Sequence, residues 1–80
     1  MNYNINIEDF AKQFNKEYEF LYDNNNNVTG YKEAVETFDK LLDTNESFQK
    51  LVGEYANYIG DFISSNREAC AFIFALETFM

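Results

Sequence analysis

The amino-acid sequence predicts an all-α protein, either a small four-helix bundle or two packed αα-hairpins. Three observations carry that expectation. Apolar residues recur every three or four positions over most of the chain, which is the period of a helix. Asn, Thr and Ser stand ahead of the periodic runs, where helix caps belong. The runs are separated by only short polar stretches, and such short loops make neighbouring helices antiparallel.

The first helix is expected over residues 7–22, with Ile7, Phe10, Ala11, Phe14, Tyr18, Leu21 and Tyr22 on one stripe. Asn6 caps it, and Glu8 and Asp9 lie in the first turn, where the helix dipole favours acids. Asp23 and the four following Asn residues end it, because Asn tolerates left-handed backbone. Thr29 or Gly30 opens a second helix carrying Tyr31, Ala34, Val35, Phe38, Leu41 and Leu42. Thr44 or Asn45 caps a third, whose inner face takes Phe48, Leu51, Val52, Tyr55, Ala56, Ile59, Phe62 and Ile63. Ser65 and Glu68 form a capping box for a fourth helix that runs nearly to Met80. Only residues 2–7 alternate in the manner of a strand, and a short extended segment there would have no mate.

The length of 80 residues fits a single helical domain, 1–80. Hydrophobic residues make up 46% and aromatic ones 19%, so a core can form without metals or disulfides. There is no His, which removes the commonest general base and metal ligand, and one Cys excludes an internal disulfide or zinc knuckle. The acids are spread over all four helices without a Glu-x-x-His signature, so no catalytic constellation emerges and the chain reads as a non-enzyme without cofactor. The lone Cys70, among apolar neighbours, reads as buried and inert. Asp23, Asn25 and Asn27 occupy the first, third and fifth places of an EF-hand loop. Val28 and Ala34, however, stand where its Gly and bidentate Glu are needed, so the segment reads as a polar interhelix loop with no metal. No targeting segment is visible, and the longest apolar run, residues 69–76, is far short of the roughly 20 residues a membrane span needs. The Asn-x-Ser/Thr triplets at Asn27 and Asn45 therefore carry no glycosylation weight, and the expected location is cytoplasmic.

Gly30-Tyr31-Lys32-Glu33-Ala34-Val35, followed by Phe38 and Leu41, resembles the second helix of a tetratricopeptide repeat. Asn66-Arg67-Glu68-Ala69-Cys70, with Ile73 and Leu76, echoes it at close to the family's period, and Ala56 takes a small-residue position. The resemblance spans about residues 15–76 and implies stacked helical hairpins with a peptide-holding groove.

Charge is more informative. The net charge is −8 and the pI about 4.2, a balance that argues against direct binding to nucleic acid or anionic membranes and favours a basic partner. Glu8–Lys12, Glu36–Lys40 and Glu46–Lys50 are favourable i,i+4 pairs. Glu19–Asp23 and Asp39–Asp43 are like-charge pairs, each costing about 0.2–0.5 kcal/mol, and these four acids also lie towards helix C-termini, where the dipole opposes them. Locally unfavourable acids are where function is expected. An antiparallel first hairpin would bring Glu19, Asp23, Glu33 and Glu36 to one end, with Glu17, Asp39 and Asp43 extending it; these seven are the candidate partner-binding residues. Acids one turn apart lie about 6 Å from each other along the axis, a spacing of the same order as successive phosphates of a nucleic-acid strand.

In size, acidity, Asn content and helix content the chain resembles the phage-encoded inhibitors of bacterial defence, the anti-CRISPR and anti-restriction proteins. That resemblance implies an inhibitor that occupies the nucleic-acid-binding surface of a defence nuclease in the host cytoplasm. An immunity protein or antitoxin against a basic toxin, and a tetratricopeptide-like scaffold, are the alternatives. The fourth helix is apolar almost all round, so it is either enclosed or packed in part against a second copy through Phe72, Phe79 and Met80.

Overall fold

The computed structural model describes residues 3–80 and contains α1 (Ile7–Asp23), α2 (Tyr31–Thr44), α3 (Glu46–Ile59) and α4 (Asn66–Glu77), with no strand among the described residues. The starts follow the capping chemistry. Asn6 Oδ1 accepts from the Asp9 N–H at 3.1 Å, and Asn45 Oδ1 from the Phe48 N–H at 2.9 Å. Ser65 Oγ accepts from the Glu68 N–H at 3.1 Å while its hydroxyl donates to Glu68 Oε1 at 2.9 Å. After α1 the backbone turns through left-handed Asn25 and Asn26, with φ of 49° and 67°.

Two helix ends differ from expectation. The apolar period of the third helix continues to Ile63, but α3 stops at Ile59, because Gly60 adopts φ 75° and the N–H groups of Gly60 and Asp61 both donate to the Ala56 carbonyl. Phe62 therefore leaves the expected inner face and stands 77% exposed, while Ile63 still packs against the core and Ile59, the last residue of α3, is 42% exposed. The helix α4 ends at Glu77, after which the N–H groups of Thr78 and Phe79 tighten onto the carbonyls of Ala75 and Leu76.

The helix α4 packs closely on α1 and α2, and α3 packs on the same two, so α1 and α2 occupy opposite corners; α3 and α4 face each other across the core and meet through the side chains of Phe48, Tyr55 and Phe72 rather than backbone to backbone. The side-chain contacts fix the directions. Phe10 meets Phe79 while Arg67 lies over Tyr18 and Tyr22, so α1 and α4 are antiparallel. Tyr3 meets Phe48 and Phe14 meets Tyr55, so α1 and α3 run parallel. The single residue Asn45 joins α2 to α3 and caps both, so the two helices are neighbours from their junction onward. Residues 24–30 and 60–65 are long enough to cross a diagonal, so the four helices form the bundle expected from the sequence, but α1 and α2 are not a packed first hairpin. The helix pairs that tetratricopeptide-like stacking requires, α1 with α2 and α3 with α4, are not closely packed, α3 meeting α4 through Phe48 and Tyr55 on Phe72 across the core.

The core centres on Phe72. Its ring is fully buried and lies 4.6 Å from Phe10, 5.5 Å from Phe38 and 5.4 Å from Phe48, so α4 grips all three other helices through one residue. Phe72 is thus enclosed by its own chain and unavailable to a second copy, a correction to its expected self-association role; Phe79 and Met80 remain 41% and 64% exposed. Ahead of α1, residues 3–6 lie across α3: the Tyr3 N–H donates to Ser47 Oγ at 2.8 Å, and the Tyr3 ring meets Phe48 edge-on. Asn2, the first residue of the alternating run, lies outside the described residues.

Candidate functional site

The seven acids singled out by the sequence fall into separate sets. On α1, Glu19 and Asp23 lie on the face turned away from buried Phe14 and Leu21, one turn apart and exposed. On α2, Glu36, Asp39 and Asp43 lie opposite buried Ala34 and Phe38, also exposed. Because α1 and α2 sit at opposite corners, these outer faces point away from each other, and no single surface gathers all five. Glu33 stands on the flank of α2, beside Thr37, whose hydroxyl donates to the Glu33 carbonyl. Glu17 is half-buried and accepts from Gln13 Nε2 at 3.0 Å, which directs it along its own helix.

Lysines interleave with both sets. Lys12 and Lys16 precede Glu19 and Asp23 on the outer face of α1, and Lys32 and Lys40 flank Glu36 on α2. None of them closes onto a carboxylate among the described residues, the three expected i,i+4 pairs included, as suits exposed pairs worth little in water. The outer face of α2 carries an open cleft of about 490 Å³ lined by Asp39, Lys40, Leu42, Asp43 and Thr44, so the acidic surface there is indented and mixed in charge.

The loop after α1 spends its polar groups internally. Asn24 Nδ2 donates to the Phe20 carbonyl at 2.8 Å, and Asn26 Oδ1 accepts from Arg67 Nε at 3.2 Å. The Arg67 guanidinium lies 4.9 Å from the Tyr22 ring and 5.9 Å from Tyr18, tying the start of α4 to the end of α1. No group of three or more His, Cys, Asp or Glu side chains is placed to hold a metal among the described residues. Cys70 is fully buried, and burial, with Glu17 and Glu77 adding to it, pushes its thiol up to about 11; no described group is arranged to activate it.

A second surface went unread in the sequence. Tyr58, Ile59 and Phe62 are exposed at and just past the C-terminal end of α3, and Phe20 is exposed near the end of α1. At the α3 end a cleft of about 300 Å³ is lined by Ala56, Asn57, Gly60, Asp61 and Phe62. Gly60-Asp61 is the signal that locates it: a Gly followed by a polar residue inside a periodic run stops the helix and turns the next apolar residue outward. No protein-family model, curated protein or solved structure matches this chain.

Proposed function

We propose that the chain is a non-enzymatic inhibitor that covers the basic, nucleic-acid-binding surface of a partner protein, with a CRISPR or restriction nuclease as the partner class. The observation that supports it best is the exposure of Glu19, Asp23, Glu36, Asp39 and Asp43 on outer helix faces, with no cation closed on them among the described residues. Their charge is offered to whatever approaches. From Glu36 to Asp43 the helix rises about 10 Å, and its three acids stand one turn or so apart, a spacing of the same order as successive phosphates of one strand. Lys32 and Lys40 on that face make the match a pattern of charges rather than a uniform polyanion, which favours partners carrying acids as well as bases. An excess of acid on a chain of net charge −8 also speeds encounter with a basic surface.

The test is displacement. A panel of CRISPR effectors and restriction nucleases carrying labelled DNA is titrated with the wild-type chain and with the fourfold variant Glu19→Gln, Asp23→Asn, Asp39→Asn, Asp43→Asn. The wild type should displace DNA from a susceptible nuclease, and the variant should fold but fail to do so. A variant that displaces DNA as well as the wild type, or a wild type that displaces none across the panel, overturns the reading.

A further inference from the structure

Residues 3–6 lie on α3 as an extended strap. Tyr3 and Ile5 are half-buried and pack against the core, whereas Asn4 and Asn6 are exposed, which is the alternation of an extended chain. The Tyr3 N–H donates to Ser47 Oγ at 2.8 Å, and the Tyr3 ring meets Phe48 edge-on at 5.8 Å. Beside this contact a cavity of about 50 Å³ separates Tyr3 and Asn4 from Ser47, Lys50, Leu51 and Glu54. Those four α3 residues recur at spacings of one turn, so they form a single stripe about 10 Å long. Three extended residues span about the same length.

The strap is held lightly over a surface that needs cover. Among the described residues, residues 3–5 make no backbone–backbone hydrogen bond, so no ladder fixes them. The entropy lost in ordering so short a segment is of the same order as the gain from burying one Tyr and one Ile. Asn6 Oδ1 caps α1, so α1 keeps its start when residues 3–5 lift away. Beneath the strap, Phe48 and Leu51 are 0% and 2% exposed, and Phe48 leads inward to Phe38 and Phe72. An apolar stripe is thus shielded by a segment that can leave without unfolding a helix. The strap carries no charge, and Lys50 and Glu54 at the groove are of opposite sign and one turn apart, so the site is balanced for an uncharged occupant.

We propose that this groove on α3 is a peptide-binding site whose resident occupant is the strap, and that it takes in its place an extended, uncharged segment of a partner protein. The segment carries an aromatic residue and, two places on, a branched aliphatic one. The incoming aromatic ring packs on the edge of Phe48, its backbone N–H donates to Ser47 Oγ, and the aliphatic side chain replaces Ile5. The strap tunes the affinity: a groove open about one-tenth of the time binds about tenfold more weakly than one always open. This site is separate from the acidic outer faces and does not depend on what they bind.

The experiment uses the full chain, as wild type and as Tyr3→Ala, with a labelled, end-blocked peptide Gly-Tyr-Asn-Ile-Asn-Gly and a control peptide in which Ser replaces the Tyr. Tyr3 is half-buried and precedes α1, so the variant keeps its helices, which circular dichroism checks. Tyr3→Ala should bind the Tyr peptide about tenfold tighter than the wild type does, and neither should hold the Ser peptide. Adding Ser47→Ala to Tyr3→Ala should weaken binding again. In the wild type, excess Tyr peptide should shift the amide signals of residues 3–6 together with those of residues 47–54. No binding by Tyr3→Ala at millimolar peptide, equal binding by variant and wild type, or shifts that miss residues 47–54 overturns the proposal. A wild-type dimer dispersed by Tyr3→Ala would give the groove to the strap of a second copy and overturn it too.

Discussion

Replacing Phe72 with Ala strikes the packing where three helices converge on the fourth. The ring is fully buried, and besides Phe10, Phe38 and Phe48 it meets Tyr55 at 5.9 Å and Phe14 at 6.5 Å. Truncating a buried Phe to Ala costs about 3–5 kcal/mol, depending on how far the site collapses. Here the void is walled by five rings anchored on α1, α2 and α3, so collapse means shifting helices, and the cost belongs near the top of that range. At about 0.05–0.15 kcal/mol per residue, an 80-residue domain is stable by about 4–12 kcal/mol, so Phe72→Ala removes much or all of it. Urea unfolding followed by helical circular dichroism measures the loss. Phe72→Leu, which refills much of the volume, should cost about 1–2 kcal/mol and keeps a folded reference in hand. Phe74 on the same helix is only half-buried, and Phe74→Ala should cost clearly less. A Phe72→Ala variant that loses under about 1.5 kcal/mol, or no more than Phe74→Ala, would refute the convergence of the core on this ring.

Three further outcomes follow from local geometry. Gly53 lies exposed within α3 with open space where a methyl would stand, so Gly53→Ala should gain about 0.5–1 kcal/mol, whereas Gly60→Ala should lose about 1 kcal/mol at its left-handed turn; thermal melts of the pair with the same sign would contradict this. Arg67→Ala should cost about 1–1.5 kcal/mol by freeing Tyr22 and Asn26, and Arg67→Lys should recover little of it, since an ammonium lacks the planar fork; full recovery by Lys would show that charge alone matters. Cys70 should resist alkylation in the folded protein at neutral pH. Its folded thiol is raised from 9.0 to about 11 and Tyr55, through burial and then Glu68, from 10.0 to about 12, so the unfolded chain ionises first and stability should fall between about pH 9 and 12; a flat alkaline profile would be inconsistent with their burial.

The helices were legible where local signals agree. Asn6, Asn45 and Ser65 each cap the helix that the sequence places after them, and the period of α1 and α2 reports the face each buries. Periodicity misleads at the end of α3, because Phe62 and Ile63 keep the helical spacing while Gly60 reverses the backbone ahead of them; Phe62 turns outward, whereas Ile63 still packs against the core. The apolar α4 offered enclosure or a second chain, and the structure encloses it through Leu76, leaving Phe79 and Met80 at the surface. The candidate acids were legible as residues but not as a surface. Whether Asp23 and Asp43 share a side depends on the corner each helix occupies, and a seven-residue connection permits either adjacent or diagonal packing.

The claim that outer-face carboxylates bind a basic surface is tested most directly by the salt dependence of that binding. The measurement is the Kd of the wild type and of the Glu19, Asp23, Asp39 and Asp43 amide variant for a nuclease whose DNA the wild type displaces, taken from low to high ionic strength. Wild-type affinity should fall steeply as salt passes about 0.1 M, where the Debye length is about 10 Å, and the variant should bind more weakly with a shallower dependence. Affinity that ignores salt and survives the four amides would contradict the account.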